Sequence, residues 1–349
     1  MISASYIKYK LIFKQPSGTS RGVLKQKTTY FFKLKSKDNW WIGECALFKG
    51  LSADDTPNYE AKLKWTCANI NLGLNNLLIK LKTFPSIQFG LEQAFLSLKK
   101  NNKFEILPSD FTRSKKGIAI NGLIWMGSKD FMYQQIKEKI KQGFKTIKLK
   151  IGAIDFESEL NLIKYIRNSF NSSEMELRVD ANGAFYPKEA LEKLKRLSDF
   201  DLHSIEQPIK VKQWEKMAEL CQKTPLPIAL DEELIGVFEH AKKEKLLQII
   251  KPQYIILKPS LIGGFLGSNK WINLANNQNI GWWITSALES NIGLNAIAQF
   301  TYTLMPKIPQ GLGTGDLFTN NIAAPLEVNK GTLFYNNENK WDLSGLNFK

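Results

Sequence analysis

Histidine is almost absent from this chain, which has only 2 among its 349 residues. A nucleophile activated by histidine, or a zinc site built from several imidazoles, is therefore nearly excluded. The 3 cysteines are odd in number and lack metal-ligand spacing, so we expect reduced, buried thiols. No apolar run approaches the ~18 residues of a membrane span, and no signal-peptide pattern opens the sequence. We therefore expect a cytoplasmic protein that has no membrane partner.

Arginine is also scarce, although the formal net charge is +15 because lysine is spread along the whole chain. A nucleic-acid partner is usually indicated by a basic arm, a zinc finger or a helix-turn-helix pattern, and the sequence contains none of them. We therefore expect no nucleic-acid partner. A lysine-rich surface explains the charge better, and it predicts solubility and weak, nonspecific anion binding.

The first part of the chain, up to about residue 112, predicts strands followed by helices, which is typical of an α+β domain. Strands are expected at Tyr6–Phe13, Thr28–Leu34 and Trp40–Cys45, and helices at Asn58–Leu72 and Leu91–Lys99. The connection Pro16–Gly22 is polar and bears glycine, which is typical of a mobile loop, although composition alone favours a plain hairpin loop.

From about Lys116 onward, strand-like and helix-like segments alternate. Strands are expected at Gly117–Asn121, Thr146–Ile151, Glu176–Ala181, Ser204–Gln207, Ile228–Asp231, Tyr254–Lys258, Gly281–Ser286 and Gly311–Gly315. A series of about eight such units favours an α/β fold with a closed (β/α)8, TIM-like barrel over an open sheet. No GxGxxG follows an early strand, so nothing supports a dinucleotide-binding fold. We expect a capping domain over residues 1–112, a barrel over 113–316, and a C-terminal segment, 317–349, that packs back on the cap.

The strand Thr146–Ile151 alternates so that Lys148 and Lys150 share one face. It lies between two predicted helices, and such strands are usually covered on both faces, so the two lysines would point into an enclosed space. An exposed strand with solvated lysines is the alternative.

Four later strands each carry one ionisable residue near their end, and each residue follows the preceding one by one βα unit. They are Asp180, Glu206, Asp231 and Lys258. In a barrel, equivalent strand ends converge on one mouth, where active sites are built. Three carboxylates at one place repel each other unless a cation lies between them, and oxygen-only ligands favour Mg²⁺. Taken singly, each acid is equally compatible with a surface or capping residue.

Together these motifs resemble the muconate-lactonizing subgroup of the enolase superfamily, over nearly the whole chain. The motifs are Lys148-x-Lys150, Arg178-x-Asp180-x-Asn182, Glu206-Gln-Pro208, Asp231-Glu-Glu233 and Lys258-Pro259. Within the subgroup the sequence is most similar to the o-succinylbenzoate synthase family of menaquinone biosynthesis. Three stretches support this: the short connection Ser17–Gly22, the run Thr285–Ser290 and the segment Gly311–Gly315. Dipeptide epimerases of the subgroup use an Asp-x-Asp at the eighth strand, where this chain has only Asp316.

The resemblance implies a Mg²⁺-dependent lyase, with Mn²⁺ able to replace the metal, acting on a small-molecule carboxylate. The substrate would be 2-succinyl-6-hydroxy-2,4-cyclohexadiene-1-carboxylate, dehydrated through an enediolate. Asp180, Glu206 and Asp231 would bind the metal. Residues implied to orient these ligands are Arg178, Asn182 and Glu232 or Glu233.

The resemblance also implies roles for the lysines. Lys150 would move the α-proton and protonate the departing hydroxide, while Lys258 would stabilise the enediolate from the opposite face. Burial, the metal and the neighbouring Lys148 would lower the pKa of the base. The sequence leaves open which lysine is acid and which is base at each step.

Three further residues are candidates for holding substrate. Ser286 and the amides after it would bind the succinyl carboxylate at a helix start, with a simple helix N-cap as the alternative for Ser286. Gly313 lies in the segment expected beside it, and Arg21 is either a residue that closes over the substrate or a solvated surface residue.

Two other functions remain open at this point. An N-acylamino acid racemase or dipeptide epimerase of the same subgroup would use Lys150 and Lys258 for proton transfer to and from one carbon. A non-catalytic scaffold is disfavoured, because it has no need of a buried charge cluster. The sequence does not indicate an oligomeric state.

Overall fold

A computed structural model of the protein describes residues 2–19, 22–346 and 348. The first part is an antiparallel three-stranded sheet, in the order β1-β2-β3, covered by helices. Its elements are β1 (Ser3–Thr19), β2 (Gly22–Ser36), β3 (Asn39–Cys45), α1 (Tyr59–Ala68), α2 (Leu74–Lys80) and α3 (Pro85–Lys100). The helix α3 approaches β3 closely because glycines meet there: a Cβ on Gly43 would lie 2.0 Å from the carbonyl oxygen of Gly90.

The hairpin formed by β1 and β2 is longer than predicted. After an irregularity beyond Ile12, pairing resumes at Ser17 opposite Leu24 and continues to the strand ends. The predicted loop at Pro16–Gly22 is therefore wrong for its described residues, which are mostly strand. Near its tip, Gly18 pairs with Met126, so the hairpin reaches across to the second part of the chain.

The second part contains a curled sheet of seven parallel strands, which confirms the α/β barrel class. A short strand, β4 (Ile118–Ala119), precedes them. The seven are β5 (Gly122–Ile124), β6 (Thr146–Lys150), β7 (Glu176–Asp180), β8 (Ser204–Glu206), β9 (Ile228–Leu230), β10 (Tyr254–Leu257) and β11 (Gly281–Ile284). The helices are α4 (Lys129–Lys141), α5 (Phe156–Ser169), α6 (Pro187–Ser198), α7 (Trp214–Lys223), α8 (His240–Ile250), α9 (Pro259–Ile262), α10 (Gly264–Asn277) and α11 (Asn291–Thr303). None of the helices described is long and apolar enough to cross a membrane.

Local signals place β6 between its two helices. The Ser128 side chain caps α4 by accepting from the amide of Phe131 at 3.3 Å. Gly143, at φ 77°, turns the chain after α4 in a conformation that favours glycine. After the strand, Asp155 caps α5 in the same way, accepting from the amide of Ser158 at 2.9 Å.

Ring closure differs from the prediction at both ends of the sheet. The first barrel strand is β5. The strand predicted at Gly117–Asn121 forms as β4, but its place in the barrel is wrong, because β4 pairs with β13 (Thr332–Tyr335), itself paired with β12 (Leu326–Asn329). The predicted strand at Gly311–Gly315 is also wrong. Only isolated bridges form there, from Gln310 to Ile120 and from Gly311 to Thr285. These bridges join the two edges of the seven-stranded sheet, since Thr285 follows β11 and Ile120 precedes β5.

The last residues return to the first sheet. Trp341, Leu343 and Leu346 pack with Phe31 and Ile42, which lie on β2 and β3. The C-terminal segment therefore contacts both parts of the protein, because β13 is paired with β4 at the barrel.

Glu44 on β3 ties the first sheet to the barrel. Its carboxylate is fully buried and accepts from the hydroxyl of Thr29 at 2.7 Å and from the hydroxyl of Ser290 at 2.6 Å. The backbone amides of Ser290 and Gly293 also donate to it, at 3.0 and 2.9 Å. These amides belong to the start of α11, where the helix dipole favours a negative charge.

We expect Glu44→Gln to lower the free energy of unfolding by about 2–4 kcal/mol. The glutamine side chain lacks the negative charge, and its NH2 group would face the hydroxyl and amide donors that the carboxylate accepts from. Urea denaturation followed by tryptophan fluorescence measures the change. Glu338→Gln, at an exposed position, is the matched control and should leave the midpoint unchanged. Equal midpoints for the two variants would contradict the proposed tie.

Candidate active site

The carboxyl ends of the barrel strands surround a pocket, with the first sheet's connection over it. Lys148, Lys150 and Asp180 line it from β6 and β7, and Phe48 and Leu51 line it from the segment after β3. The volume open between the lining side chains is about 90 Å³. Because small-molecule pockets usually hold ~300–1,000 Å³, side chains must move apart when a ring-sized molecule enters.

Parallel pairing brings the predicted acidic residues to one level. Lys150 is opposite Asp180, and Asp180 is opposite Glu206, on three adjacent strands. Asp231 follows the next strand, β9. Asp180, Glu206 and Asp231 are at most 2% exposed, and each offers an oxygen within 4.8 Å of those of the other two. The structure thus brings together the three carboxylates that the spacing predicted.

Lysine ammonium groups lie on these carboxylates. Lys148 donates to Asp180 at 3.1 Å and to Glu206 at 2.8 Å. Lys150 donates to the same oxygen of Asp180 at 2.9 Å, and Lys258 forms an ion pair with Asp231. Since Lys148 is only 7% exposed, the alternative of solvated lysines on an open strand is wrong for that residue.

The pKa values follow from this pairing. Burial alone would lower the pKa of Lys148, but Glu206 and Asp180 outweigh it, so the pKa is raised. Lys258 behaves alike, because Asp231 and Glu232 outweigh its burial.

The carboxylates respond unequally to burial. For Asp180, Lys150 and Lys148 outweigh burial and hold the pKa well below its usual range. For Glu206, burial dominates over Lys148, and the nearby Asp180 and Asp231 add to it, raising the pKa to about 8. The positive charge of Lys148 is therefore too small to offset the burial of Glu206 and its two acidic neighbours.

The three carboxylates fit a hard divalent cation. All the ligand atoms that they offer are oxygens, and the Oε1 atom of Glu206 is buried without a hydrogen-bond partner among the described residues. This oxygen has no hydrogen-bond donor in the part of the chain that the structure describes, and burial and the neighbouring carboxylates raise the pKa of Glu206. A cation bound there would accept the oxygen as a ligand and balance the negative charge. Asp180, Glu206 and Asp231 could thus hold a metal ion.

Two residues in the left-handed conformation follow β7 and β8 and hydrogen-bond to residues of the cluster or beside it. Asn182, at φ 44°, accepts from Lys150 at 2.8 Å and donates to Glu232 at 2.9 Å. Gln207, at φ 37°, accepts from the amide of Asp231 at 3.2 Å. Asn182 and Glu232 are where the sequence predicted orienting residues, while Gln207 was given no role.

Glu233 stabilises the chain behind the cluster rather than facing the pocket's lysines. Its carboxylate accepts from the indole of Trp214 at 2.9 Å and from the amide of Lys212 at 2.8 Å. Gln207 donates to its other oxygen at 3.2 Å. Of the two glutamates that the sequence offered as orienting groups, Glu232 alone lines the main pocket.

Arg178 lies lower in the barrel, away from the three carboxylates. Its guanidinium pairs with Glu176, donates to the carbonyl of Pro309 at 3.0 Å and stacks 4.5 Å from the ring centre of Trp283. No hydrogen bond joins Arg178 to a ligand carboxylate among the described residues. Arg21, the predicted closing residue, lies outside the described residues.

Ser286 lines the pocket but does not begin a helix. Ser290 is the N-cap of α11, so the alternative of an N-cap role for Ser286 is wrong. The Ser286 hydroxyl hydrogen-bonds with that of Thr314 at 2.7 Å, and Gly313 lies beside them in the lining. The amide of Ala287 already donates to Glu289, at 2.6 Å.

The apolar wall of the pocket was missed by sequence reasoning. Phe48, Leu51, Leu123, Trp125 and Leu288 form this wall. No motif marks Phe48 or Leu51, because their place over the barrel depends on how the first sheet docks. Trp125 could have been found, since it immediately follows a barrel strand.

Comparisons with known proteins agree with this geometry. The enolase C-terminal domain-like family matches residues 132–335. The chain is 47% identical to the o-succinylbenzoate synthase of Desulfotalea psychrophila, over 94% of this chain and 98% of that protein. The crystal structure of MenC from D. psychrophila superposes with a TM-score of 0.84, at 43% identity, covering 95% of this chain and 99% of the other. The L-Ala-D/L-Glu epimerase of Bacillus subtilis is 29% identical over 50% of this chain and 47% of its own length.

We expect Gln207→Ala to weaken divalent-cation affinity by about 10- to 100-fold, because Asp231 loses the group that orients its backbone. Calorimetric titration with Mn²⁺ measures this without an activity assay. Gln222→Ala, at an exposed position on α7, should bind the ion as the unaltered protein does. Unchanged affinity in Gln207→Ala would remove the orienting role.

Proposed function

Because this chain belongs to the enolase C-terminal domain-like family, we propose that its pocket removes a proton next to a carboxylate group, in the reaction of an o-succinylbenzoate synthase. The enzyme is then a carbon–oxygen lyase that dehydrates 2-succinyl-6-hydroxy-2,4-cyclohexadiene-1-carboxylate to o-succinylbenzoate, a step of menaquinone biosynthesis. The observation that carries the proposal is the placement of Lys150 and Lys258 on opposite sides of the three carboxylates. Three strands, β7 to β9, separate β6 from β10 in the sheet order.

Asp180, Glu206 and Asp231 are the residues that would hold Mg²⁺, which Mn²⁺ could replace. When bound, the cation would compensate the three carboxylates and stabilise the negative charge that develops on the substrate carboxylate. Asn182 and Glu232 orient this set, since their hydrogen bond links the ends of two ligand strands.

Lys150 performs both proton transfers in the proposed reaction. Its neutral amine takes the proton from the ring carbon that bears the carboxylate, and the electron pair moves into the carboxylate to give an enediolate. The pair then returns to form the ring double bond as the carbon–oxygen bond to hydroxide breaks. The ammonium of Lys150 protonates the hydroxide, so water leaves, the ring becomes aromatic and the amine is restored. One side chain suffices because the proton and the hydroxyl depart from the same face.

Lys258 and the pocket wall bind the reacting ring from its other side. The cation of Lys258 would face the ring and stabilise the enediolate by charge and by contact with the π system. Leu51 and Trp125 supply an apolar surface for the ring. Ser286 and Gly313 would bind the succinyl group, and the substrate would compete with Thr314 for the hydrogen bond that the Ser286 hydroxyl makes in the pocket.

A racemase or epimerase is the second candidate, because it too needs a lysine on each side of the substrate carbon. An epimerase that binds an ammonium group would need a carboxylate from the eighth position, and Asp316 is not among the pocket-lining residues. Its side chain is 95% exposed and pairs with Lys14 on β1. This geometry disfavours a dipeptide epimerase, while an N-acylamino acid racemase, whose substrate has no ammonium group, is separated from the synthase by the assay below.

Several broader expectations stay predictions. They are the capping, barrel and C-terminal divisions at 1–112, 113–316 and 317–349, a cytoplasmic location and the lack of a nucleic-acid partner. The small-molecule carboxylate is the partner that the proposed reaction requires.

We expect purified protein with Mg²⁺ to remove the diene absorbance of the cyclohexadiene carboxylate rapidly, and EDTA to abolish the reaction. A parallel polarimetric screen of N-succinylamino acids and dipeptides should show slower racemisation or none. Rapid racemisation with little dehydration would transfer the function to the second candidate. Dehydration that continues undiminished in EDTA would refute the metal assignment.

Lys150→Ala should lower kcat by about 10²–10⁴-fold, because it removes the group that moves the proton. Lys150→Arg should be comparably impaired, since a guanidinium stays protonated. Lys145→Ala, at the exposed position just before β6, is the matched control and should retain activity. Circular dichroism checks that each variant is folded, and near-normal turnover in folded Lys150→Ala would exclude the proposed base.

A further inference from the structure

A second cavity lies between the first part of the chain and the outer helices of the barrel. It has a volume of about 420 Å³ and shares no lining residue with the active-site pocket. The helix α2 lines one side, and residues of α8, α9 and α10 line the other. The position between two parts of the protein is a common one for small-molecule sites.

Lys243 of α8 lines this cavity and is only 3% exposed. Its ammonium group lies 4.9 Å from the ring centre of Trp271 and has no hydrogen-bond or ion-pair partner among the described residues. Burial makes the charged form of this lysine unfavourable, and no acceptor among the described residues offsets that cost. The proposed reaction gives this residue no role.

The charged side chains that line the cavity are lysines, because Lys270 on α10 and Lys82 after α2 join Lys243 and no carboxylate lines it among the described residues. Two carboxyl groups lie behind this lining: Glu239 pairs with Lys82, and the buried Glu92 on α3 acts on Lys270. Burial, and then Lys270, lower the pKa of Lys243 to about 7. Lys243 itself has no carboxylate partner among the described residues, so the cavity offers it to an anion.

The walls of the cavity are apolar. Leu78 and Ile79 face it from α2, and Ile262 and Leu266 face it from α9 and α10. Ile79 is 74% exposed and Leu266 is 42% exposed, so the entrance presents apolar surface to solvent. An occupant that satisfies both the walls and the lysines combines an anionic group with an apolar body.

We propose that this cavity binds a small organic carboxylate, with the carboxylate on Lys243 and Lys270 and an apolar ring or chain against Ile79 and Leu266. Carboxylate fits better than inorganic phosphate because one deeply buried ammonium and mostly apolar walls cannot replace the hydration of a compact dianion. The bound anion contacts α2 and α10 together, so it would strengthen the packing of the first part of the chain on the barrel.

Calorimetric titration with benzoate at pH 6.0 tests the proposal, with benzamide as the neutral probe of the same shape and inorganic phosphate as the compact anion. We expect benzoate to bind and the other two to bind at least roughly tenfold more weakly. Lys243→Met should weaken benzoate binding at least roughly tenfold, whereas Lys245→Met, exposed on the same helix, should not. Benzoate held in the active site would be unaffected by Lys243→Met.

Two further measurements keep the test decisive if Lys243→Met folds poorly. Leu266→Glu, at a partly exposed position, should weaken benzoate binding by repulsion. In the unaltered protein, benzoate should bind several-fold more weakly at pH 8.5 than at pH 6.0, because Lys243 loses its proton on passing about pH 7. The buried Glu92 carboxyl, which acts on Lys270, has its pKa raised to about 7 and gains its charge over the same range. The same weakening in Glu92→Gln would assign the pH dependence to Lys243. Equal binding to Lys243→Met and unaltered protein, no benzoate binding, or phosphate binding more tightly than benzoate would each overturn the proposal.

Discussion

Charge compensation within a buried cluster is the interaction on which the rest of the site depends. Asp180, Glu206 and Asp231 lie within 4.8 Å of one another, and Lys148, Lys150 and Lys258 lie on them. Separating either sign would leave uncompensated charge in the interior, at about 3–5 kcal/mol for a broken buried pair. Adjacent parallel strands place lysines and carboxylates at the same level of the barrel. A change in the pairing register of these strands would therefore separate the opposite charges.

The sequence predicted the elements whose pattern is local. β6 shows this best, since its alternation and its capped flanking helices predict a strand whatever its partners are, although its burial depends on the sheet around it. Long-range choices were not predictable in the same way. Both 118–119 and 122–124 are suitable short strands, and β13, more than 200 residues later by their numbers, selects the first of them. The sequence likewise could not tell whether Ser286 or Ser290 is the N-cap of α11, because both carry a hydroxyl and the first residue of the helix was not known.

The two parts of the protein are joined through the same segments that build the pocket. Glu44 holds the start of α11 from β3, and a few residues later the same chain supplies Phe48 and Leu51 to the pocket wall. On the barrel side, the segment that Glu44 holds follows directly after Ser286. A shift of the first sheet would therefore move the apolar wall and the segment after β11 together. The position of the first sheet is part of the geometry of the site.

The ring of strands is closed by the segment at Gln310 and Gly311 rather than by an eighth strand. These two residues make four backbone hydrogen bonds with the chain at the two edges of the seven-stranded sheet. The same segment continues into Gly313 and Thr314, which line the pocket beside Ser286. The backbone bonds that complete the barrel therefore also fix one wall of the pocket, and the lining there has the geometry of the ring rather than that of a free loop.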